Sequence, residues 1–175
     1  DLAARQSADI AQRLTDKDVT IIRGRGRLAG PERVVAKTDD DVLVFEPDVV
    51  LVSTGAHPRV LPDAVPDGER ILTWTQVYAL QELPERLIVV GSGVTGAEFA
   101  SAYDALGAEV VLVSSRDRVL PGEDADAAQV LEDVFARRGL TVLGKSRAES
   151  VVRDGDGVIV RLTDGREITG SHCLL

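Results

Sequence analysis

The sequence is poor in cysteine and histidine and has no excess of positive charge. Its only cysteine, Cys173, excludes an internal disulfide and a cysteine metal site. The two histidines, His57 and His172, lie far apart in the sequence and match no metal-ligand spacing. The chain carries 20 basic and 29 acidic side chains, for a net charge of −9. This balance argues against nonspecific nucleic-acid binding, which requires a basic face.

Long apolar runs are also absent. No stretch approaches the roughly 20 residues that a membrane-spanning helix requires, and no signal peptide opens the chain. We therefore expect a cytoplasmic location. Hydrophobic residues make up 44% of the 175 residues, a share that favours a packed globular fold over disorder.

The most informative segment is a glycine-rich turn. Four apolar residues, Leu87–Val90, lead directly into a G-x-G-x-x-G pattern. In such a pattern the first glycine permits a tight strand-to-helix turn, the second lets the backbone approach a pyrophosphate, and the third lets the helix lie close to the strand. The free N–H groups of the first helical turn then bind phosphates. The segment predicts a dinucleotide-binding turn formed by Gly91, Ser92, Gly93, Val94, Thr95 and Gly96.

The flanking residues place this turn in a nucleotide-binding unit. Phe99, Tyr103 and Leu106 recur at the spacing of one helix face, and Gly107 follows them as a helix stop. Glu109–Val113 is then a second apolar strand. A strand, a glycine turn, a helix and a strand in this order form a βαβ unit. The alternative is a glycine turn that only packs a helix on a sheet.

The segments before this unit predict a helix and short strands. The residues up to about Lys17 predict a surface helix. Four β-like runs then suggest an antiparallel meander, and the last of them, free of polar interruption, predicts a buried strand. Prolines concentrated between residues 58 and 84 indicate a linker with a short helix at Trp74–Gln81. The four runs are Val19–Ile22, Val34–Ala36, Val42–Phe45 and Asp48–Val52.

The segments after the unit predict a further helix, a third parallel strand and a β-meander. Apolar residues between 127 and 135 recur at helical spacing, with Asp124 near the start and Gly139 at the end. Thr141–Leu143 continues the parallel sheet. Asp-Gly turns at residues 154–157 and 164–165 separate the strands of the meander.

Four stretches, in the same order, resemble the pyridine nucleotide–disulfide oxidoreductase family. Val49–Arg59 is similar to the strand and the A-T-G-x-x-P-R turn that end the first FAD segment of that family. Ile71–Thr73 and Leu83–Pro84 resemble the connecting segment. Gly91–Glu98 is similar to the second glycine motif, and Arg118–Pro121 to the segment after the second strand of the NAD domain. The resemblance covers nearly the whole chain.

The resemblance implies an α/β fold: a Rossmann-like three-layer NAD(P)-binding domain with a β-meander, preceded by a partial β segment of an FAD domain. It assigns residues 1–62 to the end of the first FAD-binding segment, 63–84 to a linker with a short helix, and 85–175 to an NAD(P)-binding domain incomplete at its end. The family's earlier FAD glycine motif, redox-active Cys-x4-Cys and dimerisation domain are not in this sequence. We therefore expect an internal fragment, inactive alone, of a homodimeric protein.

The resemblance also bears on the nucleotide. The family's acidic residue, which binds the adenosine ribose of NAD, falls on Ser114. The hydroxyls of Ser114 and Ser115 and the guanidinium of Arg116 instead offer donors and positive charge to the 2′-phosphate of NADP. We expect NADP preference or dual use; an ordinary polar turn is the alternative.

The resemblance also bears on Val94 and on four residues outside the glycine turn. Glu98 corresponds to a glutamate near the flavin and nicotinamide rings, although a glutamate there also suits a helix start. The valine at position 94 is similar to the residue that the dihydrolipoamide dehydrogenase branch of the family has there. Ala148 aligns with a position whose backbone contacts the adenine in family members. Thr54 and Gly55 would contact FAD in a complete FAD domain.

Three functions stay open. The leading one is the NAD(P)H-binding portion of an FAD-dependent enzyme, most like dihydrolipoamide dehydrogenase, that passes a hydride between NAD(P)H and FAD. The alternative within the same class is a quinone-type reductase without redox cysteines. A different class is a non-catalytic dinucleotide-binding regulatory module. No residue of the chain is assigned a catalytic or metal-binding role.

Overall fold

The computed structural model describes residues 2–175 and divides the chain after Gly55. The first unit holds one helix and a three-stranded antiparallel sheet in the order β1-β2-β3. The helix and the strand pair β2–β3 confirm the sequence prediction. The elements are α1 (Leu2–Thr15), β1 (Arg25–Leu28), β2 (Val34–Lys37) and β3 (Val42–Phe45).

The predicted strand at Val19–Ile22 is wrong, because the hairpin turn selects other residues. The N–H of Ala29 donates to the carbonyl of Arg33 at 2.9 Å, which closes the turn between β1 and β2. This turn sets Leu28 opposite Val34 and Arg25 opposite Lys37, so the residues before Arg25 fall outside the paired register.

The predicted buried strand at Asp48–Val52 is also wrong in this structure. These residues form no strand, and the side chains of Val49 and Leu51 are 84% and 86% exposed. An apolar run becomes a buried strand only when neighbouring strands supply hydrogen-bond partners. Within residues 2–175 no strand pairs with this run.

The second unit, Ala56–Leu175, is built on a five-stranded parallel sheet in the order β4-β11-β5-β6-β7. A separate antiparallel meander has the order β10-β9-β8. The helices are α2 (Trp74–Val77), α3 (Val94–Leu106) and α4 (Ala125–Arg138). The strands are β4 (Ile71–Leu72), β5 (Arg86–Val90), β6 (Glu109–Val113), β7 (Thr141–Leu143), β8 (Ala148–Asp154), β9 (Gly157–Leu162), β10 (Glu167–Gly170) and β11 (His172–Leu174).

The parallel sheet is buried on both faces, which makes three layers. Leu87 and Leu112 belong to the core that also includes Phe135 of α4, and Ile88 and Val111 to the core with the meander. Alternate residues of a strand point to opposite faces, so the continuous apolar runs of β5 and β6 serve both cores. The predicted three-layer α/β fold is confirmed.

Two elements differ from the sequence prediction. The short helix ends at Val77, four residues before the expected end at Gln81. β4 lies within the segment predicted as a linker and pairs with β11, a strand that the sequence did not single out. β11 also pairs with β5, so the last strand of the chain lies inside the sheet.

His172 and Cys173 are adjacent residues of β11, and both are buried. Cys173 is fully buried, and burial raises the pKa of its thiol. His172 Nε2 lies 3.1 Å from Arg70 Nη1. Burial, and then the charge of Arg70, lower the pKa of His172, so the neutral ring accepts from the guanidinium. Within residues 2–175 no helix has both the length and the apolar composition of a membrane span.

Candidate functional site

The glycine turn follows β5, the strand at which the strand order of the parallel sheet reverses. From β5 the chain proceeds to β6 and β7 on one side, while β11 and β4 lie on the other side. In open parallel sheets the crevice at such a point, outside the carboxyl ends of the strands, is where ligands bind. The carboxyl end of β5 leads directly into Gly91.

The first and third glycines shape the turn in different ways. Gly91 has a φ of +116°, a conformation that side chains disfavour, and its N–H donates to the carbonyl of Val113 at 2.9 Å. At Gly96 an added Cβ would lie 1.9 Å from the carbonyl oxygen of Gly91. No side chain fits there, because the start of α3 packs directly on the turn.

The start of α3 is not capped by a side chain. Gly93 is the N-cap residue, and its carbonyl accepts the first intrahelical bond from the N–H of Ala97 at 2.9 Å. The three preceding amides, of Val94, Thr95 and Gly96, have no partner within the helix. A Cβ added at Gly93 would meet nothing within 4 Å, and Gly93 lines one cavity together with the three residues that carry these amides.

Two adjoining cavities form one cleft along the carboxyl edge of the sheet. The first, of about 270 Å³, is lined by residues of the glycine turn, including Val94, and by Leu174. The second, of about 230 Å³, lies beside the end of β6 and is lined by Ser115 and Ala148 among others. Both cavities share Val90, Gly91 and Leu175.

Ser114 lies elsewhere than the predicted phosphate contact requires. Its side chain is fully buried, and its Oγ lies 2.6 Å from Oγ of Ser92, which is also buried. The N–H of Arg116 donates to Ser114 Oγ at 3.1 Å, and the carbonyl of Arg118 lies 3.3 Å from it. The hydroxyl pair therefore ties the glycine turn to the loop after β6 and does not face the cleft.

Ser115 and Arg116 are exposed, in contrast to Ser114. Ser115 lines the second cavity, and Arg116 follows it in the same loop. Ala148, at the start of β8, lines this cavity too. Sequence reasoning missed Ser146 and Arg147, which line it as well. Their signal is weak, since it consists only of their position just after a parallel strand.

Glu98 does not line this cleft, and Thr54 and Gly55 belong to the first unit. Glu98 is exposed on α3 and lines a different groove, with Ala102 and Leu131. Thr54 and Gly55 are exposed residues at the end of the first unit. The role predicted for each of these three residues stays a prediction.

All 175 residues match the sequence pattern of one family, described as pyridine nucleotide-disulphide oxidoreductase. The chain belongs to this family. Family members are FAD- and NAD(P)-dependent flavoprotein oxidoreductases. The resemblance drawn from the glycine motif and its neighbouring segments is thereby confirmed.

Individual relatives agree with the family assignment. The chain is 55% identical over 181 residues to an NAD(P)H dehydrogenase (quinone) of Mycobacterium tuberculosis, covering 99% of this chain and 37% of the relative. It is 33% identical over 171 residues to a dihydrolipoyl dehydrogenase of Zymomonas mobilis, covering 95% of this chain and 36% of the relative. The chain therefore spans little more than a third of these relatives.

A solved structure supports the same fold. The crystal structure of LpdA from Mycobacterium tuberculosis superposes with a TM-score of 0.85 at 56% identity, covering 99% of this chain and 39% of that chain.

Proposed function

We propose that this chain is the NAD(P)H-binding part of an FAD-dependent oxidoreductase that passes a hydride between NAD(P)H and FAD. The observation that carries the proposal is the uncapped start of α3 on the glycine turn. This turn follows β5, the strand at which the strand order of the sheet reverses. We assign residues 1–62 to the end of an FAD-binding segment, 63–84 to the linker and 85–175 to the NAD(P)-binding domain.

The residues of the cleft would bind and orient the dinucleotide. The amides of Val94, Thr95 and Gly96 would donate to the pyrophosphate oxygens, and Gly93 would leave room for this approach. The backbone of Ala148 would lie along the adenine, since it lines the cavity beside β6. The dinucleotide and the flavin supply the hydride chemistry, and the protein supplies their placement.

We favour NADP over NAD, or use of both, because the residue directly after β6 is Ser114 rather than a carboxylate. Ser115 and Arg116 offer a hydroxyl and a guanidinium to a 2′-phosphate at the end of this strand. Titration of NADPH and NADH into the protein at its natural length tests the preference. NADH binding tenfold more tightly, a difference of about 1.4 kcal/mol, would contradict it.

Two electron acceptors are candidates. The 55% identity to an NAD(P)H dehydrogenase (quinone) supports a quinone more strongly than the 33% identity to a dihydrolipoyl dehydrogenase supports a lipoyl disulfide. NADPH oxidation by the natural-length protein, measured with a soluble naphthoquinone and with lipoamide, separates the two. Turnover with lipoamide alone would favour the disulfide.

The absorption spectrum of the purified protein tests the remaining alternative. We expect a bound flavin; a colourless protein that still binds dinucleotide would instead indicate a regulatory module. We also expect a cytoplasmic homodimer, which cell fractionation and light scattering would test.

Paired glycine variants test the binding site itself. The Gly93→Ala methyl group would project into the open space before α3, so we expect NADPH to bind at least about tenfold more weakly. Gly122→Ala is the matched control, since an added Cβ there also meets nothing within 4 Å and Gly122 does not line the cleft. Equal NADPH affinities of the two variants would contradict the proposed site.

A further inference from the structure

The loops after β6 and β7 are joined by backbone hydrogen bonds. The N–H of Ser146 donates to the carbonyl of Ser114 at 2.7 Å, and the N–H of Lys145 donates to the carbonyl of Arg116 at 2.6 Å. At Gly144 an added Cβ would lie 3.1 Å from the carbonyl oxygen of Asp117, so the two backbones are in close contact. The residue after Ser146 therefore lies close to the carboxyl end of β6.

That residue is Arg147, whose backbone is held in place but whose side chain is not. Its carbonyl accepts from the N–H of Thr163 at 2.9 Å, which anchors it to the meander. Its side chain is exposed and lines the same cavity as Ser115. Among residues 2–175 its guanidinium makes no hydrogen bond or ion pair.

Neighbouring arginines of the meander are already paired with carboxylates. Arg166 bonds to Asp164 at 2.7 Å, and Arg161 bonds to Glu167 at 2.7 Å. Arg147 differs from both because its charge is not neutralised by a protein partner. A guanidinium with five donors at the wall of a cavity is suited to a planar or tetrahedral anion.

One acidic group opposes an anion in this cavity. Glu149 also lines it, but its charge acts on Arg161 of the neighbouring strand β9. The other polar groups of the lining are neutral hydroxyls, including those of Ser115 and Ser150. The cavity thus combines one unpaired cation with hydroxyl donors, at the end of the strand that adjoins the ribose in a dinucleotide-binding fold.

We propose that Arg147 binds the 2′-phosphate of NADP(H) and so contributes to the choice between the two nucleotides; this inference rests on the proposed function. Arg147 supplies a cation from the loop after β7, which is hydrogen-bonded to the loop of Arg116. The binding is electrostatic and involves no covalent step. Ser114 takes no direct part, since its hydroxyl is buried against Ser92.

The test compares NADPH and NADH binding to the protein at its natural length. For Arg147→Ala we expect NADPH to bind about tenfold or more weakly, while NADH binding changes by less than about twofold. Arg147→Lys should recover part of the loss, because an ammonium keeps the charge without the planar fork. Unchanged NADH binding also shows that the variant is folded.

Arg138→Ala is the matched control. Arg138 is exposed in the last turn of α4, which leads into the start of β7 at the edge of the sheet opposite the cleft. We expect its NADPH and NADH affinities to equal those of the wild type.

The outcomes separate the inference from the proposed function. A wild-type protein that binds neither nucleotide would overturn the proposed function, and with it this inference. A wild type that binds NADH but not NADPH would overturn the inference alone. So would an Arg147→Ala variant that loses neither nucleotide or loses both equally.

Discussion

The helices α3 and α4 end alike but begin differently. Both pack on the same face of the parallel sheet, and both end at a left-handed glycine, Gly107 and Gly139. At the start of α4 the carboxylate of Asp124 accepts from the N–H groups of Asp126 and Ala127. α3 has only Gly93 at this position and no side-chain cap.

This difference separates a helix whose first amides bond to the protein from a helix whose first amides are available to a ligand. The side chain of Asp124 satisfies the first amides of α4, so that helix needs no ligand. The same amides of α3 stay available to an anion, because a glycine N-cap permits the helix start without occupying the space in front of it. The cost is a less stable helix start in the absence of ligand.

The largest effect should come from giving α3 the cap of α4. Gly93 has φ −71° and ψ −175°, which an aspartate can adopt. A Gly93→Asp carboxylate would bond the free amides and repel the pyrophosphate. We expect NADPH affinity to fall by about 1,000-fold, or about 4 kcal/mol, in a fluorescence titration. Thermal stability without ligand should rise slightly. An unchanged affinity would show that the two helix starts do not differ in function.

The next effect concerns the third helical position, where Gly96 of α3 corresponds to Ala127 of α4. Ala127 is exposed and carries its Cβ freely, whereas a Cβ at Gly96 meets the carbonyl oxygen of Gly91 at 1.9 Å. We expect Gly96→Ala to lower the free energy of unfolding by about 2–3 kcal/mol, measured by urea denaturation. Gly122→Ala should change it by less than about 0.5 kcal/mol. Equal losses in the two variants would contradict the close packing of α3.

At the ends of the two helices we expect equal effects of substitution on the free energy of unfolding. Gly107 and Gly139 have φ values of 101° and 90°, and a Cβ at either meets nothing within 4 Å. Only backbone strain opposes an alanine there, so Gly107→Ala and Gly139→Ala should each cost about 1–2 kcal/mol of unfolding free energy. Denaturation curves that differ strongly between the two variants would reveal a second role for one of the ends.

The smallest effect should be the loss of the cap on α4. Asp124→Ala removes two bonds, of 3.0 and 3.1 Å, to the first turn. We expect a loss of about 1 kcal/mol in urea denaturation, with no change in NADPH affinity. A weaker affinity in this variant would mean that α4 contributes to the ligand site.

The two long apolar runs show where sequence reasoning succeeds and where it does not. Leu87–Val90 and Asp48–Val52 each contain four consecutive apolar residues, and the sequence predicts a strand for both. In the structure Leu87 is 0% exposed between paired strands, while Leu51 is 86% exposed. Periodicity and turn residues predict local conformation, but the burial of a strand depends on its partner strands, which a local pattern does not identify.

The candidate site also contains features that the sequence predicts and features that it does not. The glycine turn and its helix were predictable because their geometry depends on adjacent residues. The inward direction of Ser114 was not, since it depends on Ser92 across two parallel strands. Arg147 reaches the cleft only through the pairing of β6 with β7 and the loop contacts of Lys145, which no local pattern reveals.

The place of β11 in the sheet has a consequence for folding order. The N–H of Arg86 at the start of β5 bonds to Ser171 Oγ, 85 residues along the chain, and β4 joins the sheet only through β11. Such distant pairings form late, because a long loop must close before they contribute. We expect β5, α3 and β6 to assemble first and the wall formed by Leu174 and Leu175 to close last. Nucleotide binding would then require that β11 has already joined the sheet.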